Sequence, residues 1–289
     1  MAEEIAAGLG GRIVRELGGR QRRNWLLARG DLTLVLRRHA NPTGLDRNQQ
    51  LASIAWEQQA QRALIDQGWP AARPAQEPWF EDGAWWTVES ALPGQPKSLS
   101  PREHAALWAQ WEHTATRLDL APRPGPWQPL AVLQRADAHT TFACCEDMTD
   151  RALLVRRHEQ ALQLAELIDW SASQTVLVHG DLTSWNLHWD GATLAGLLDL
   201  ELAHHDRRTV EAVHIWRCRY DQTLLEFHRL RPLNVHEWRM VLLDWWGTLL
   251  SQACVALSAG EQPGGWTLDG LRRETELSRG IVTSSVPST

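Results

Sequence analysis

The chain has 289 residues, 43% of them hydrophobic and 22% charged, with a formal net charge of −6. That length fits one large domain or two lobes, and the composition excludes a disordered chain, a collagen or a disulfide-stapled miniprotein. The acidic balance offers nothing to a nucleic-acid partner, no apolar run approaches the roughly 18–20 residues of a membrane helix, and residues 1–11 open on two acids where a leader would be basic and then apolar, so the chain reads as cytoplasmic with no membrane partner.

Along the chain, residues 13–17 and 25–28 read as strands around the turn Gly18-Gly19. Residues 31–38 alternate, with Leu32, Leu34 and Leu36 on one face and Thr33, Val35 and Arg37 on the other, the period of a half-buried strand. A helix is expected over 49–67, ended by Gly68 with Pro70 beyond it. Residues 85–90 form a further strand, broken by Leu92-Pro93-Gly94. The rest reads as mostly helical. Ser100-Pro101-Arg102-Glu103 is a capping box with proline at the first helical position and predicts a helix to residue 118. The four prolines of 121–130 mark a linker, and a second long helix is expected over 149–170. A strand over 175–178 then leads to a hairpin, 187–189 and 193–198, around Asp190-Gly191. Asn234 and Glu237 cap a helix over 235–257. The tail from 258 is rich in Gly, Ser and Thr and reads as disordered from about residue 280.

Cys144, Cys145, Cys218 and Cys254 have neither a zinc spacing nor the look of a disulfide framework, and read as reduced thiols. The chain has 17 Trp against 3 Phe and 1 Tyr, and Lys97 is its one lysine among 29 basic residues. A GC-rich coding bias disfavours Phe, Tyr and Lys codons together and accounts for both oddities without a sugar-stacking role. His188, His204, His205 and His214 fit no standard zinc spacing.

The stretch that carries chemistry is His179-Gly180-Asp181-Leu182-Thr183-Ser184-Trp185-Asn186, followed by Leu197-Leu198-Asp199-Leu200-Glu201. A polar loop leaves a buried strand, a tight hairpin returns the chain, and Asp181, Asn186 and Asp199 are expected on one edge of a small sheet. Two carboxylates and an amide oxygen suit a hard cation such as Mg²⁺. The order H-x-D-x-x-x-x-N, then a strand-borne Asp, is the layout of phosphoryl transfer to a hydroxyl: one carboxylate takes the proton, and an Asn and an Asp hold Mg²⁺ on the triphosphate.

His179–Asn186 with Asp199–Glu201 resembles the HGDLxxxN…DxE signature of the aminoglycoside phosphotransferase and choline kinase branch of the protein-kinase-like fold. The resemblance spans about residues 12–260. It implies an α+β, two-lobed architecture: a small β-rich nucleotide lobe over 1–92 and a larger, mostly helical catalytic and substrate lobe over 93–289. It implies ATP and Mg²⁺ as cofactors, Asp181 as the catalytic residue, and Asn186 and Asp199 as metal ligands. It places Gly18 and Gly19 at the phosphate-covering turn, Val35 over adenine, Arg37 on the phosphates in place of the usual lysine, and Glu57 as the partner of Arg37. Glu89 and Ala91, leading into Pro93-Gly94, fall at the adenine-binding hinge. His179 would hold the loop without moving protons. Thr183 stands where many protein kinases have a lysine, which fits the small-molecule branch. Glu201, Asp206, Glu211 and Trp216 are candidates to meet a cationic substrate; nearby Arg207, Arg208, Arg217 and Arg219 could neutralise the acids instead. The function implied is phosphorylation of a hydroxyl on a small molecule. A kinase for choline, a ketosamine or homoserine, and a pseudokinase-like nucleotide-binding module, are the alternatives.

Overall fold

The alternation of Leu34 and Leu36 with Val35 and Arg37 builds a strand with one apolar and one polar face, and the first sheet grows from it. The computed structural model describes residues 1–18, 22–39, 45–123 and 129–283, without the side chains of 129 and 214–220. In chain order the elements are α1 (Ala2–Gly8), β1 (Arg12–Gly18), β2 (Arg22–Arg29), β3 (Leu32–His39), α2 (Arg47–Asp66), β4 (Trp79–Glu81), β5 (Ala84–Ser90) and β6 (Gln95–Pro96). Then come α3 (Pro101–Ala115), α4 (Ala138–Phe142), α5 (Met148–Glu166), β7 (Thr175–Val178), β8 (Leu187–Asp190), β9 (Thr193–Leu197), β10 (His204–Arg207), α6 (Glu211–Leu230), α7 (Val235–Ser258), α8 (Gly265–Arg272) and α9 (Glu276–Val282). Residues 1–98, 117–123 and 183–203 form one compact unit, and the remaining described residues form a second. The boundary expected after residue 92 falls inside the first unit, because β6 pairs with β8 and brings the hairpin of 183–203 into it.

In the first unit five antiparallel strands run in the order β1-β2-β3-β5-β4. One face buries Trp25, Leu27, Leu34, Leu36, Trp86 and Val88 beneath Ile5 and Ala6 of α1, a helix whose 7 residues are too few to announce themselves in the sequence. The other face carries Val35, Arg37 and His39 opposite Glu89, Thr87 and Trp85. α2 starts on a capping box of Asp46 and Gln49. After α2, Leu197 N donates to Pro70 O at 2.9 Å, so β9 is tied to the chain leaving the helix. Gly94 is required by a close approach: at φ 82° a Cβ there would lie 2.6 Å from Trp189 O. The Asp190-Gly191 turn closes β8 onto β9 as its residue types predict.

In the second unit β7 and β10 pair antiparallel, with His204 opposite Val178 and Arg207 opposite Thr175. The capping boxes of Ser100 with Glu103 and of Asn234 with Glu237 are both formed. The helix expected to reach residue 170 stops at Glu166, because Asp169 instead caps a short turn through Ser171 N. α7 holds the core: Trp238, Leu243, Leu249 and Leu250 have no exposed surface. It corrects the expectation that no stretch approaches membrane length. By length and composition α7 could cross a membrane, with a mean hydropathy of 1.4 over its most apolar window, yet 78% of that window is buried. The tail folds further than expected, with α9 running to Val282; residues 284–289 lie outside the described residues.

Arg208 links this unit through charge. It contacts Glu112 of α3 at 3.0 Å and Glu237 at the start of α7 at 2.5 Å, while Arg231 adds a second bond to Glu112 at 2.6 Å. Both acids are almost fully buried. Removing one partner from a buried pair leaves an uncompensated charge at a cost of roughly 3–5 kcal/mol. Arg208→Ala is expected to lower stability by that much in urea titration. A loss below about 1 kcal/mol would mean that Arg231 alone suffices for Glu112 and that Glu237 is matched elsewhere.

Candidate active site

The polar face of the first sheet opens on a pocket whose lining includes Arg22, Arg37, His39, Glu57, Glu89 and Asp199. Register explains the assembly. Arg22 of β2 stands opposite His39, and Asn24 opposite Arg37, so all four share one face. Glu57, on the buried side of α2, accepts from Arg22 through both oxygens at 2.9 Å and from Arg123 at 3.0 Å. Burial opposes its charge, but the two guanidiniums prevail and hold its carboxyl down at about 2. Burial likewise opposes the charge of Arg22, and Glu57, Glu201 and Asp199 outweigh it. Arg22 Nε also lies 3.0 Å from Glu201 Oε2. His39 is buried with its Nε2 2.9 Å from Thr87 Oγ1; burial and the charge of Arg22 push it well below the usual imidazole range.

Asn186 and Leu198, the residue before Asp199, are joined at one end of the β8–β9 hairpin, where Asn186 O accepts from Leu198 N at 2.9 Å. Asp199 has left-handed backbone, φ 59° and ψ 70°, and its Oδ1 takes the Glu201 amide at 3.4 Å. A non-glycine residue in that region is costly and persists where the surroundings impose it, as they do at ligand-holding positions. Among the described residues no three His, Cys, Asp or Glu side chains cluster to hold a metal by themselves.

In the second unit, the loop that follows β7 is held by one buried carboxylate. Glu211 Oε2 accepts from His179 N at 2.5 Å and Gly180 N at 3.3 Å, and Oε1 accepts from Leu182 N at 3.1 Å. His104 Nε2 lies 2.7 Å from Leu182 O, and His179 Nδ1 accepts from Asp181 N at 3.3 Å. The main chain on both sides of Asp181 is thereby fixed. His179 is fully buried and packs edge-on against Trp111, a structural placement.

Several expectations need correction. Glu57 pairs with Arg22 and Arg123, not with Arg37. Arg37 reaches Glu89 at 2.6 Å, its diagonal neighbour across the β3–β5 ladder, and Glu89 also accepts from Gln61 at 2.8 Å. Arg37 Nε is buried without a hydrogen-bond partner. The Ala91 amide donates to Thr33 O at 3.1 Å, so it does not present a free donor to adenine. Glu211 is 1% exposed and committed to the loop amides, which removes it from substrate contact; burial pushes its carboxyl up. Glu201 is engaged by Arg22, and Asp206 by His204 and Arg207, so arginine and histidine meet acids that were expected to face a cation. Val35 lies opposite Leu26 and Glu89, and Gly18 has φ 81° with its carbonyl accepting from Asn24. Gly19 and the side chains of Trp216, Arg217 and Arg219 lie outside the described residues. Arg22 and Arg123 were missed. The alternation of β2 held a signal for Arg22; nothing local marked Arg123.

A β-rich unit with a paired helix acid, a carboxylate-anchored loop carrying His-Gly-Asp, and an Asn and an Asp at the end of a hairpin define an α+β protein of the protein-kinase-like fold. The sequence matches the phosphotransferase enzyme family over residues 13–241, and the chain belongs to that family. It is accordingly a phosphotransferase. Its fold is similar to that of the aminoglycoside phosphotransferase APH(4)-Ia, with a TM-score of 0.69, 17% identity and 99% of each chain covered. The microcompartment-associated aminopropanol kinase gives a TM-score of 0.66 at 12% identity, covering 99% of this chain and 94% of the other. An aminoglycoside phosphotransferase from Alicyclobacillus acidocaldarius gives 0.62 at 17% identity, covering 94% and 90%. Among curated proteins there is no significant sequence match.

The Glu57 cluster predicts an acid-side effect. A carboxyl lowered from the ordinary 4.5 to about 2 contributes roughly 3 kcal/mol of stability, fully present above pH 4.5 and lost as pH falls toward 2. Denaturant titrations between pH 5 and 2 are expected to show a steeper loss for the wild type than for Glu57→Gln. Parallel slopes in that window would mean that Glu57 titrates as an ordinary glutamate.

Proposed function

We propose that the protein transfers the γ-phosphoryl group of Mg²⁺-bound ATP to a hydroxyl of a small molecule, the first unit handling the nucleotide and the second the acceptor. Asp181 accepts the proton of the acceptor hydroxyl or orients that hydroxyl for attack. Asn186 and Asp199 are the metal ligands of this reading. An amide oxygen and a carboxylate are hard donors, and Mg²⁺ in nucleotide sites takes its other ligands from water and phosphate. When bound, the ion neutralises charge on the β- and γ-phosphates. The protein's own contribution is position. Glu211 fixes the amides around Asp181 in the second unit, and the hairpin fixes Asn186 and Asp199 in the first.

The observation that carries this reading is the backbone bond joining Asn186 to Leu198 beside a left-handed Asp199 at one hairpin end. Membership of the phosphotransferase family supports it. Complexes of APH(4)-Ia with ADP and hygromycin B, and of a spectinomycin phosphotransferase with ADP and spectinomycin, support nucleotide use. For the acceptor we favour the hydroxyls of aminoglycosides and amino alcohols, the compounds for which these neighbours are named. Glu201, Asp206 and Glu211 all have internal partners, so recognition of a substrate ammonium is not assigned to them. Dependence on ATP fits a cytoplasmic location.

Two measurements test the reading. A panel of aminoglycosides, amino alcohols and sugars assayed with Mg²⁺ and labelled ATP is expected to yield a phosphorylated product, and Asp181→Asn to slow turnover on that product by about 10²–10⁴-fold while ATP still binds. Activity of Asp181→Asn within about threefold of wild type would remove Asp181 as the base. By calorimetry, Asp199→Ala is expected to erase the gain in ATP affinity that Mg²⁺ confers, and an unchanged gain would exclude Asp199 as a ligand.

A further inference from the structure

Among the described residues two arginines line the pocket, Arg22 and Arg37; Lys97 and Arg123 of the same unit lie outside its lining. Lys97 sits 4.1 Å from the centre of the Trp189 ring. Arg123 is committed on every side, to Ser53 Oγ at 2.7 Å, to Ala203 O at 2.8 Å, to Leu200 O at 3.4 Å and to Glu57 at 3.0 Å. Arg37 also lines the pocket and is held by Glu89 at 2.6 Å through one terminal nitrogen, its Nε having no hydrogen-bond partner.

Arg22 is held differently from the other three. It lines the pocket together with Arg37 and Asp199, and Asp199 is among the acids that favour its charge. Its guanidinium meets Glu57 as a flat fork, Nη1 on Oε2 and Nη2 on Oε1 at 2.9 Å each. Each terminal nitrogen carries a second N–H that Glu57 does not take. With Nε taken by Glu201 at 3.0 Å, the guanidinium is fixed through all three nitrogens yet keeps one N–H on each terminal nitrogen for another anion, the condition for a preorganised phosphate contact, whereas Arg37 is held at one nitrogen only. Arg123, bound to the same Glu57 oxygen as Arg22 Nη2, keeps the acid in place.

The geometry points to Arg22 of β2, and not Arg37 of β3, as the cation that grips the nucleotide's phosphates. The task implied for the third strand is moved to the second, with Glu57 as the holder of Arg22 and Arg37 left paired with Glu89. This inference rests on the nucleotide-dependent reading above and deepens it.

The test compares ligands that differ only in phosphate. ATP, ADP and adenosine are titrated by calorimetry against wild type, Arg22→Ala, Arg22→Lys and Arg37→Ala, with circular dichroism to confirm folding. Arg22→Ala is expected to weaken ATP and ADP by about tenfold or more and adenosine by less than about threefold, since a charge-assisted bond to phosphate is lost and the base contacts are kept. Arg22→Lys retains a cation for Glu57 and serves if the alanine variant fails to fold; it is expected to weaken ATP selectively, because an ammonium lacks the fork. Arg37→Ala is expected to leave the ratio of ATP to adenosine affinity unchanged. The inference is overturned if a folded Arg22 variant binds ATP as wild type does, or if the ratio collapses in Arg37→Ala instead. A wild type that binds neither ATP nor adenosine would bring down the nucleotide reading itself, and this assignment with it.

Discussion

A carboxylate taken out of water must be matched by partners or give up its charge, and Glu57 is matched twice. Arg22 covers both of its oxygens and Arg123 shares one of them. Through Arg123 the same charge reaches Ser53 on its own helix and the carbonyls of Leu200 and Ala203, just after Asp199. One ion cluster thus ties α2, the second strand, the segment 117–123 and the turn that follows the candidate metal ligand. The polar face of the sheet and the hairpin end are held in one frame because this acid cannot be left alone.

The second unit meets the same constraint in a different way. Glu211 is buried even more completely than Glu57, but its partners are backbone amides of His179, Gly180 and Leu182. Amide dipoles compensate less than full charges, so burial moves Glu211 up while the guanidiniums hold Glu57 down. The structural result differs accordingly. A carboxylate bound to arginines orients side chains, whereas one bound to amides shapes the main chain. The first arrangement presents a cation and the second presents a loop with Asp181 in it.

What was legible in the sequence is what local chemistry determines. The alternation of 31–38, the capping boxes at Ser100 and Asn234, the Asp190-Gly191 turn and the spacing from His179 to Glu201 each depend on residues near one another, and the elements formed as expected. The partners of Glu57 and Arg37 depend on strand register, which pairs Arg22 with His39 and sets Glu89 diagonal to Arg37, and register is a long-range property. Glu211 was misjudged for a related reason: a buried acid and a surface acid are the same letter until packing separates them. α7 hid its apolar character because Glu237, Arg239 and Asp244 interrupt the run, although Glu237 is consumed by a cap and by Arg208, and Asp244 by Arg207.

The near-exclusive use of arginine has a chemical consequence. The single ε-amine of the chain belongs to Lys97, seated over the Trp189 ring, while the cations lining the pocket are guanidiniums. A guanidinium stays protonated across the whole physiological range and is a poor nucleophile. Acyl-phosphate analogues of ATP, which label an enzyme by acylating an amine beside the phosphates, would therefore find no amine to react with in this pocket. If the pocket takes a nucleotide as proposed, the protein would escape affinity profiling by such reagents.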